Sequence, residues 1–173
     1  MVEIRMAEKE DVAKIVMIER ECFPAAEAAK EEDIYKKAEM AADAVLADLY
    51  KPEYEKMDLE DGKVIGFVNG CTTDKPELPD ELYHNPLLHN AAGDYQTVFG
   101  LDVLPEYRKK GVAGELLKHM ISLSKARKKK GIILTCKDYL IGYYEKFGFE
   151  NQGVSESSHG GAKWNNMFLN LEK

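Results

Sequence analysis

The chain has 173 residues, with 24 Lys and Arg against 31 Asp and Glu, a formal net charge of −7 and a mean hydropathy of −0.42. A chain of this length buries roughly 70% of its unfolded surface, so one domain over residues 1–173 needs no metal or disulfide to hold a core. Its longest apolar runs, such as Ile132–Leu134, are far shorter than the ~20 residues that cross a bilayer, and its three widely spaced cysteines, Cys22, Cys71 and Cys136, fit neither a disulfide framework nor paired metal ligands.

Met1 to Glu8 lack a basic stretch followed by an apolar core, so no secretory signal is expected and a cytoplasmic location is. Residues 1–100 carry 11 basic and 23 acidic side chains, whereas residues 101–173 carry 13 and 8. A basic second half in an acidic protein points to a local anion site and not to a nucleic-acid surface, which needs positive charge over a whole face.

Val2, Ile4 and Met6 alternate with polar residues and read as a strand, and residues 8–23 carry apolar side chains at helical spacing. Beyond Pro24, the run from Ile34 through Val45 and Leu46 to Leu49 predicts a second amphipathic helix. Asp61-Gly62 between residues 53–59 and 63–72 is a hairpin signal. Residues 74–94, with Pro76, Pro79 and Pro86, read as a long loop with one helical turn, a kind of segment that is often functional. A strand from Gln96 to Leu104, a helix from Val112 through Ser124 and a buried strand from Ile132 to Cys136 form a right-handed crossover with parallel strands. A short helix over 140–147 and two strands, around Val154 and over 164–171, complete the chain.

Arg108-Lys109-Lys110-Gly111-Val112-Ala113 lies where that strand meets that helix. The first amides of a helix have no internal acceptor and sit at the positive end of its dipole, so they can wrap a pyrophosphate, with Gly111 admitting close approach. The run matches neither the P-loop nor GxGxxG, which disfavours nucleoside triphosphates and NAD. A solvated basic turn is the plainer alternative.

Arg108, Gly111 and Ala113 fit the pattern Arg/Gln-x-x-Gly-x-Gly/Ala, and here the chain resembles the GNAT superfamily of acyl-CoA N-acyltransferases. It is most similar to the arylalkylamine (serotonin-type) N-acetyltransferases and their bacterial relatives, through residues 18–24, 66–70, 101–103, 143–149 and 155–164. The resemblance implies an α/β GNAT fold: a mixed, mostly antiparallel sheet with a splayed parallel pair of central strands, flanked by helices. It implies acetyl-CoA as cosubstrate and no metal. The pantetheine arm would pair with the backbone of Leu101 and Val103, and the pyrophosphate would rest on Arg108, Lys109, Lys110, Gly111, Val112, Ala113 and Gly114. The Leu101 N–H would polarise the acetyl carbonyl, and Tyr144 would act as general acid toward the leaving thiolate.

An alkylamine arrives protonated at neutral pH and needs a proton acceptor. The vertebrate serotonin enzymes have two histidines where this chain has Thr97 and Phe99, neither of which titrates as a base. His159, in the tail segment shared with the bacterial relatives, is the nearest substitute. It competes with a water chain to backbone carbonyls, Asp102 or Glu21, and a turn role is its plainer reading. Glu21, Phe23 and Pro24 match the segment that walls the amine pocket in the relatives, with a helix-ending staple as the equal alternative, and Thr97 and Phe99 are further substrate contacts. His84 and His89 read as surface residues, and Cys136 as a small core residue.

The expected reaction is direct acetyl transfer, in a ternary complex, from acetyl-CoA to a small aralkyl or alkyl primary amine. Acetylation of a protein N-terminus or lysine, and a CoA-binding sensor without turnover, are the alternatives. A homodimer stays open as a partner, and neither nucleic acid nor a membrane is expected.

Overall fold

The computed structural model describes residues 2–39, 44–49 and 63–172. The backbone of these residues builds two sheets. Strands β1 (Val2–Met6), β2 (Ala44–Leu49), β3 (Lys63–Asn69) and β6 (Gly100–Val103) form the first, in the order β1-β2-β3-β6 and antiparallel throughout. Strands β4 (Thr72–Thr73), β5 (Tyr95–Val98), β7 (Gly131–Cys136), β8 (Glu150–Val154) and β9 (Asn165–Asn170) form the second, ordered β4-β5-β7-β9-β8, with β5 and β7 parallel. Among the described residues no helix is long and apolar enough to cross a membrane.

The strand expected over 96–104 is therefore two strands in two sheets. Phe99 interrupts it: its N–H donates to the Asn69 carbonyl at 2.8 Å, and the next N–H, of Gly100, donates to the Asn69 side-chain oxygen at 2.9 Å. The ladder slips by one residue at this bulge, and one asparagine satisfies both donors. Before it, Val98 pairs with Leu134 of β7, and after it Leu101 pairs with Val68 of β3. The strands splay from that point, as the resemblance implied.

Residues 44–49 correct the expected second helix. The helix α2 spans Glu31–Glu39, and 44–49 instead lie as a strand between β1 and β3. Pairing on both edges outweighs the helical spacing of that stretch. The expected partner of residues 63–72, residues 53–59, and the Asp61-Gly62 turn lie outside the described residues. The antiparallel partner seen for β3 on that side is β2.

A register shift opposite Ala47 and Asp48 sets the two faces of β3. Val64 and Phe67 pack with Val12, Ile15, Val16 and Ile18 of α1 (Val12–Cys22), while Ile65 and Val68 pack with Val112, Leu116, Leu117 and Met120 of α4 (Val112–Ala126). The long loop carries α3 (Glu81–His84) and is pinned by buried Lys129, whose ammonium donates to the carbonyls of Ala91 and Gly93 at 2.9 and 2.6 Å. Helix α5 (Ile141–Glu145) follows β7.

Removing the Asn69 side chain leaves the Gly100 N–H without its acceptor. The expected cost of Asn69→Ala is about 1–3 kcal/mol, read from the urea midpoint. An unchanged midpoint would mean that the bulge does not depend on that bond.

Candidate active site

The splay opens a cleft of about 520 Å³ between α1, β6, the start of α4, the end of β7 and α5. Its backbone wall follows from the ladder. The Leu104 N–H donates to the Ile65 carbonyl, so Asp102, two residues earlier and opposite Phe67, also faces β3 with its backbone. Leu101 and Val103 alternate with these residues and turn their N–H and C=O groups away from β3, into the opening. The Val103 carbonyl already accepts the Arg108 Nε at 2.9 Å and the Cys22 thiol at 3.5 Å.

At one end lies the start of α4. Gly111 is its N-cap in the left-handed region, at φ +86°, with no side chain supplying a cap. The N–H groups of Val112, Ala113 and Gly114 follow in the first turn, where no helix carbonyl can reach them. An ideal Cβ on Gly111 would meet nothing within 4 Å, so the approach to these amides is open. Lys109 and Gly111 to Gly114 line the cleft, whereas the Lys110 ammonium lies 5.2 Å from the Tyr107 ring centre, outside the lining. Arg108 also lines it, braced against Val103. This uncapped, cation-flanked helix start fits a pyrophosphate.

Tyr144 of α5 lines the middle of the cleft and is buried at 8% exposure, edge-on to Tyr143 and Phe149. Burial, reinforced by Cys136 and Tyr143, pushes its hydroxyl far above the usual phenol range, so it keeps its proton at neutral pH. Two cysteines share this wall. Burial pushes the thiols of Cys22 and Cys136 up to about 11, with Asp102 and Asp138 adding to the effect, so both stay thiols and neither is poised as a nucleophile.

The other end is aromatic. Tyr83 of α3 lies 4.8 Å from Phe99 and stacks on His159 at 5.8 Å and 7°, and His159 lies 6.4 Å from Trp164. The Tyr83 hydroxyl meets Thr135 at 3.1 Å, and burial pushes its pKa up to about 12. The His159 Nε2 lies 2.9 Å from the Glu27 carbonyl, which can only accept, so that nitrogen carries a hydrogen and the contact fixes the tautomer. The Glu27 carboxylate is paired with Lys137 at 2.7 Å.

Most of the expected site residues converge here: Leu101, Val103, Arg108, Lys109, Gly111, Val112, Ala113, Gly114, Tyr144, His159, Phe23 and Phe99 all line the cleft. Pro24 is exposed and outside the lining, its carbonyl accepting the N–H groups of Glu27 and Ala28. Thr97 is fully buried and outside it as well, with its hydroxyl bonded to the Cys71 carbonyl and N–H. His84 is exposed, in keeping with its surface reading, and borders the cleft, 3.2 Å from Asp33. Sequence reasoning missed Glu19, because it weighed the exposed Glu21. Glu19 is buried at 6% exposure, lines the cleft, and accepts the Ala29 N–H at 2.8 Å. The only hint was its place on the apolar stripe of α1 beside Ile15 and Ile18.

A family model described as "Acetyltransferase (GNAT) family" matches residues 12–149. The chain belongs to this family of acyl-CoA-dependent acetyltransferases. It is 30% identical over 103 residues to serotonin N-acetyltransferase from Mesocricetus auratus, a match covering 59% of this chain and 48%, about half, of that relative. In fold it resembles the loading GNATL domain of CurA from Lyngbya majuscula, with a TM-score of 0.77 and 14% identity over 99% of this chain and 98% of that one. The ribosomal-protein-S18-alanine N-acetyltransferase of Escherichia coli gives a TM-score of 0.70 and 18% identity, covering 100% and 96%. A GNAT family acetyltransferase of Brucella melitensis, solved in complex with acetyl-CoA, gives 0.65 and 17%, covering 100% and 90%.

Because Cys22 and Cys136 ionise near 11 and not near 9, about a hundredfold less thiolate is present at neutral pH. Iodoacetamide labelling of both is expected to run at least that much slower than for free cysteine at pH 7.5, and to accelerate tenfold per pH unit on the way to 11. Fast labelling at neutral pH would mean an activated thiol in the cleft.

Proposed function

We propose that this protein transfers an acetyl group from acetyl-CoA directly to the nitrogen of a small aralkyl or alkyl primary amine. The observation that carries this reading is the single cleft that joins an uncapped helix start, the outward-turned backbone of Leu101 and Val103, and the buried Tyr144 to an aromatic end. Bound acetyl-CoA would supply an activated acyl group with a thiolate as leaving group. The α4 amides and the Lys109 and Arg108 cations hold phosphates, and the Val103 N–H and the Leu101 carbonyl orient the arm as a partial added strand.

The Leu101 N–H is a fixed donor where negative charge grows on the acyl oxygen, and losing one such donor costs ~10²-fold or more in rate. Tyr144 holds a proton that it can donate to the departing sulfur as the carbon–sulfur bond breaks. The raised hydroxyl keeps that proton available well into the alkaline range. Because Cys22 and Cys136 stay neutral thiols, neither is poised to form a covalent acyl-enzyme.

The aromatic end favours a small acceptor over a protein chain. Tyr83, Phe99 and His159 pack ring against ring with Trp164 beside them, and these rings and Phe23 line the same cleft and offer it apolar surface. His159 positions this wall through its bond to the Glu27 carbonyl.

Saturating CoA is expected to raise the Tm by binding the folded state, adenosine to leave it unchanged, and Gly111→Asp, which brings a negative charge to the helix start, to remove the shift. An equal shift in Gly111→Asp would place the phosphates elsewhere.

Tyr144→Phe nearly preserves packing and is expected to keep the CoA-induced shift while lowering kcat by roughly 10²-fold or more. Near-normal turnover, followed by the release of free CoA across an amine panel, would leave Tyr144 as a core aromatic.

A further inference from the structure

The cleft contains a further carboxyl group, that of Asp102. Asp102 lies opposite Phe67 on β6 and so projects on the α1 face of the sheet, away from the α4 face toward which Leu101 and Val103 project. It is 5% exposed, it lines the cleft, and its Oδ2 is buried without a hydrogen-bond partner. Beside that oxygen the strand carries Gly100, and a Cβ there would stand 3.0 Å from Oδ2 and 3.1 Å from the Asn69 side-chain oxygen. The missing side chain leaves a small, tight hollow immediately before Leu101, walled by these two oxygens and, at 3.3 Å from the same point, by the Phe67 ring.

We infer that this hollow is the ammonium site of the acceptor, with Asp102 taking the proton that the amine must lose before it attacks. The inference rests on the acetyl-transfer reading above. The charged and titratable groups around Asp102 are Glu19 and Cys22 of α1, Arg108 of the turn after β6, and Tyr144 of α5. Glu19 adds a second buried carboxylate to the same wall and acts on Asp102 in the opposite sense to Arg108. Burial, followed by the Glu19 charge, holds Asp102 well above the usual carboxylate range, which makes it a better proton acceptor than a surface aspartate. Glu27, whose Oε2 is also buried without a bond, is already matched by Lys137 and lies toward the aromatic end.

The proton balance closes. One ammonium proton passes to Asp102 and on to solvent. The freed nitrogen bonds to the acyl carbon, the carbon–sulfur bond breaks, and the sulfur takes the Tyr144 proton. The second proton shed as the nitrogen becomes an amide restores that phenol.

The test compares an alkylamine, charged at neutral pH, with an aromatic amine that is uncharged there, in the intact chain and in Asp102→Asn. With Asp102 as acceptor, kcat/KM for the alkylamine in the wild type levels off through neutral pH. In Asp102→Asn it is expected to fall by ~10²-fold or more near pH 7 and to climb tenfold per pH unit toward the amine's own pKa of about 10. The aromatic amine, which brings no such proton, is expected to lose less than threefold.

The CoA-induced rise in Tm reports whether the variant is folded. If it is not, the wild-type profiles decide alone: a plateau for the alkylamine through neutral pH supports the inference, and a continuous climb toward pH 10 overturns it. Equal losses for the two amines, or no loss for the alkylamine, also overturn it while leaving acetyl transfer intact. A wild type that acetylates no amine overturns the acetyl-transfer reading together with this one.

Discussion

The structure depends on the point where one strand changes partners. Up to Val98 the chain pairs with β7, and from Gly100 it pairs with β3. A strand that leaves one neighbour exposes unpaired backbone groups, which are costly when buried and useful when a ligand can pair with them. The double acceptor on Asn69 makes the change of partner tolerable, because the two N–H groups at the break, those of Phe99 and Gly100, both find oxygen. Three parts of the cleft lie at that break: Leu101 one residue past Gly100, the hollow at Gly100 itself, and Phe99 at the aromatic end.

The alternation of a strand then sorts the chemistry. Leu101 and Val103 share the face covered by α4, whose first turn holds the free amides, so groups suited to a phosphate-bearing donor gather on that side. Asp102 shares the face covered by α1, together with Glu19 and Cys22. Two consecutive residues of one strand thus address two different ligands from opposite faces. A shift of one residue in register would exchange them and place a carboxylate beside the phosphates. The bulges at Phe99 and near Ile65 set this register, so they are part of the site as much as the side chains that line it.

How much was legible in the sequence follows from how local each feature is. The helix-start motif at 108–113 is contiguous, its glycine needs a left-handed φ, and the structure has it there. The crossover of β5, α4 and β7 was readable from strand formers and the helical stripe. Residues 44–49 were misread because their apolar spacing suits a helix, while the pairing with β1 and β3 that makes them a strand joins them to residues far along the chain. The same distance hid the acidic wall. Glu19 and Asp102 are 83 positions apart, and only the packing of α1 on β6 makes one influence the other. The partner of His159, the Glu27 carbonyl, is a backbone atom 132 positions away, and no residue pattern announces it.

The electrostatics of the cleft also differ from what net charge suggests. A protein at −7 repels a CoA-like anion at long range, yet the helix start and Lys109 and Arg108 present positive potential within a few ångströms of where phosphates would bind. At about 8–10 Å of screening, the local pattern governs the last approach and the global charge matters little. The same screening makes the acidic first half a weak guide to a cationic acceptor until it reaches the buried wall, where water no longer shields Glu19 and Asp102. A buried carboxyl oxygen with no partner costs roughly 1–3 kcal/mol. The α1 cluster of Val12, Ile15, Val16 and Ile18 against Phe67 offsets that with several fully buried aliphatic side chains, each contributing about 1.5–3 kcal/mol. The fold can therefore hold the Asp102 Oδ2 without a bond in its resting state, and a cation that enters the hollow adds to what the Cys22 thiol and the Arg108 charge already supply to that carboxyl.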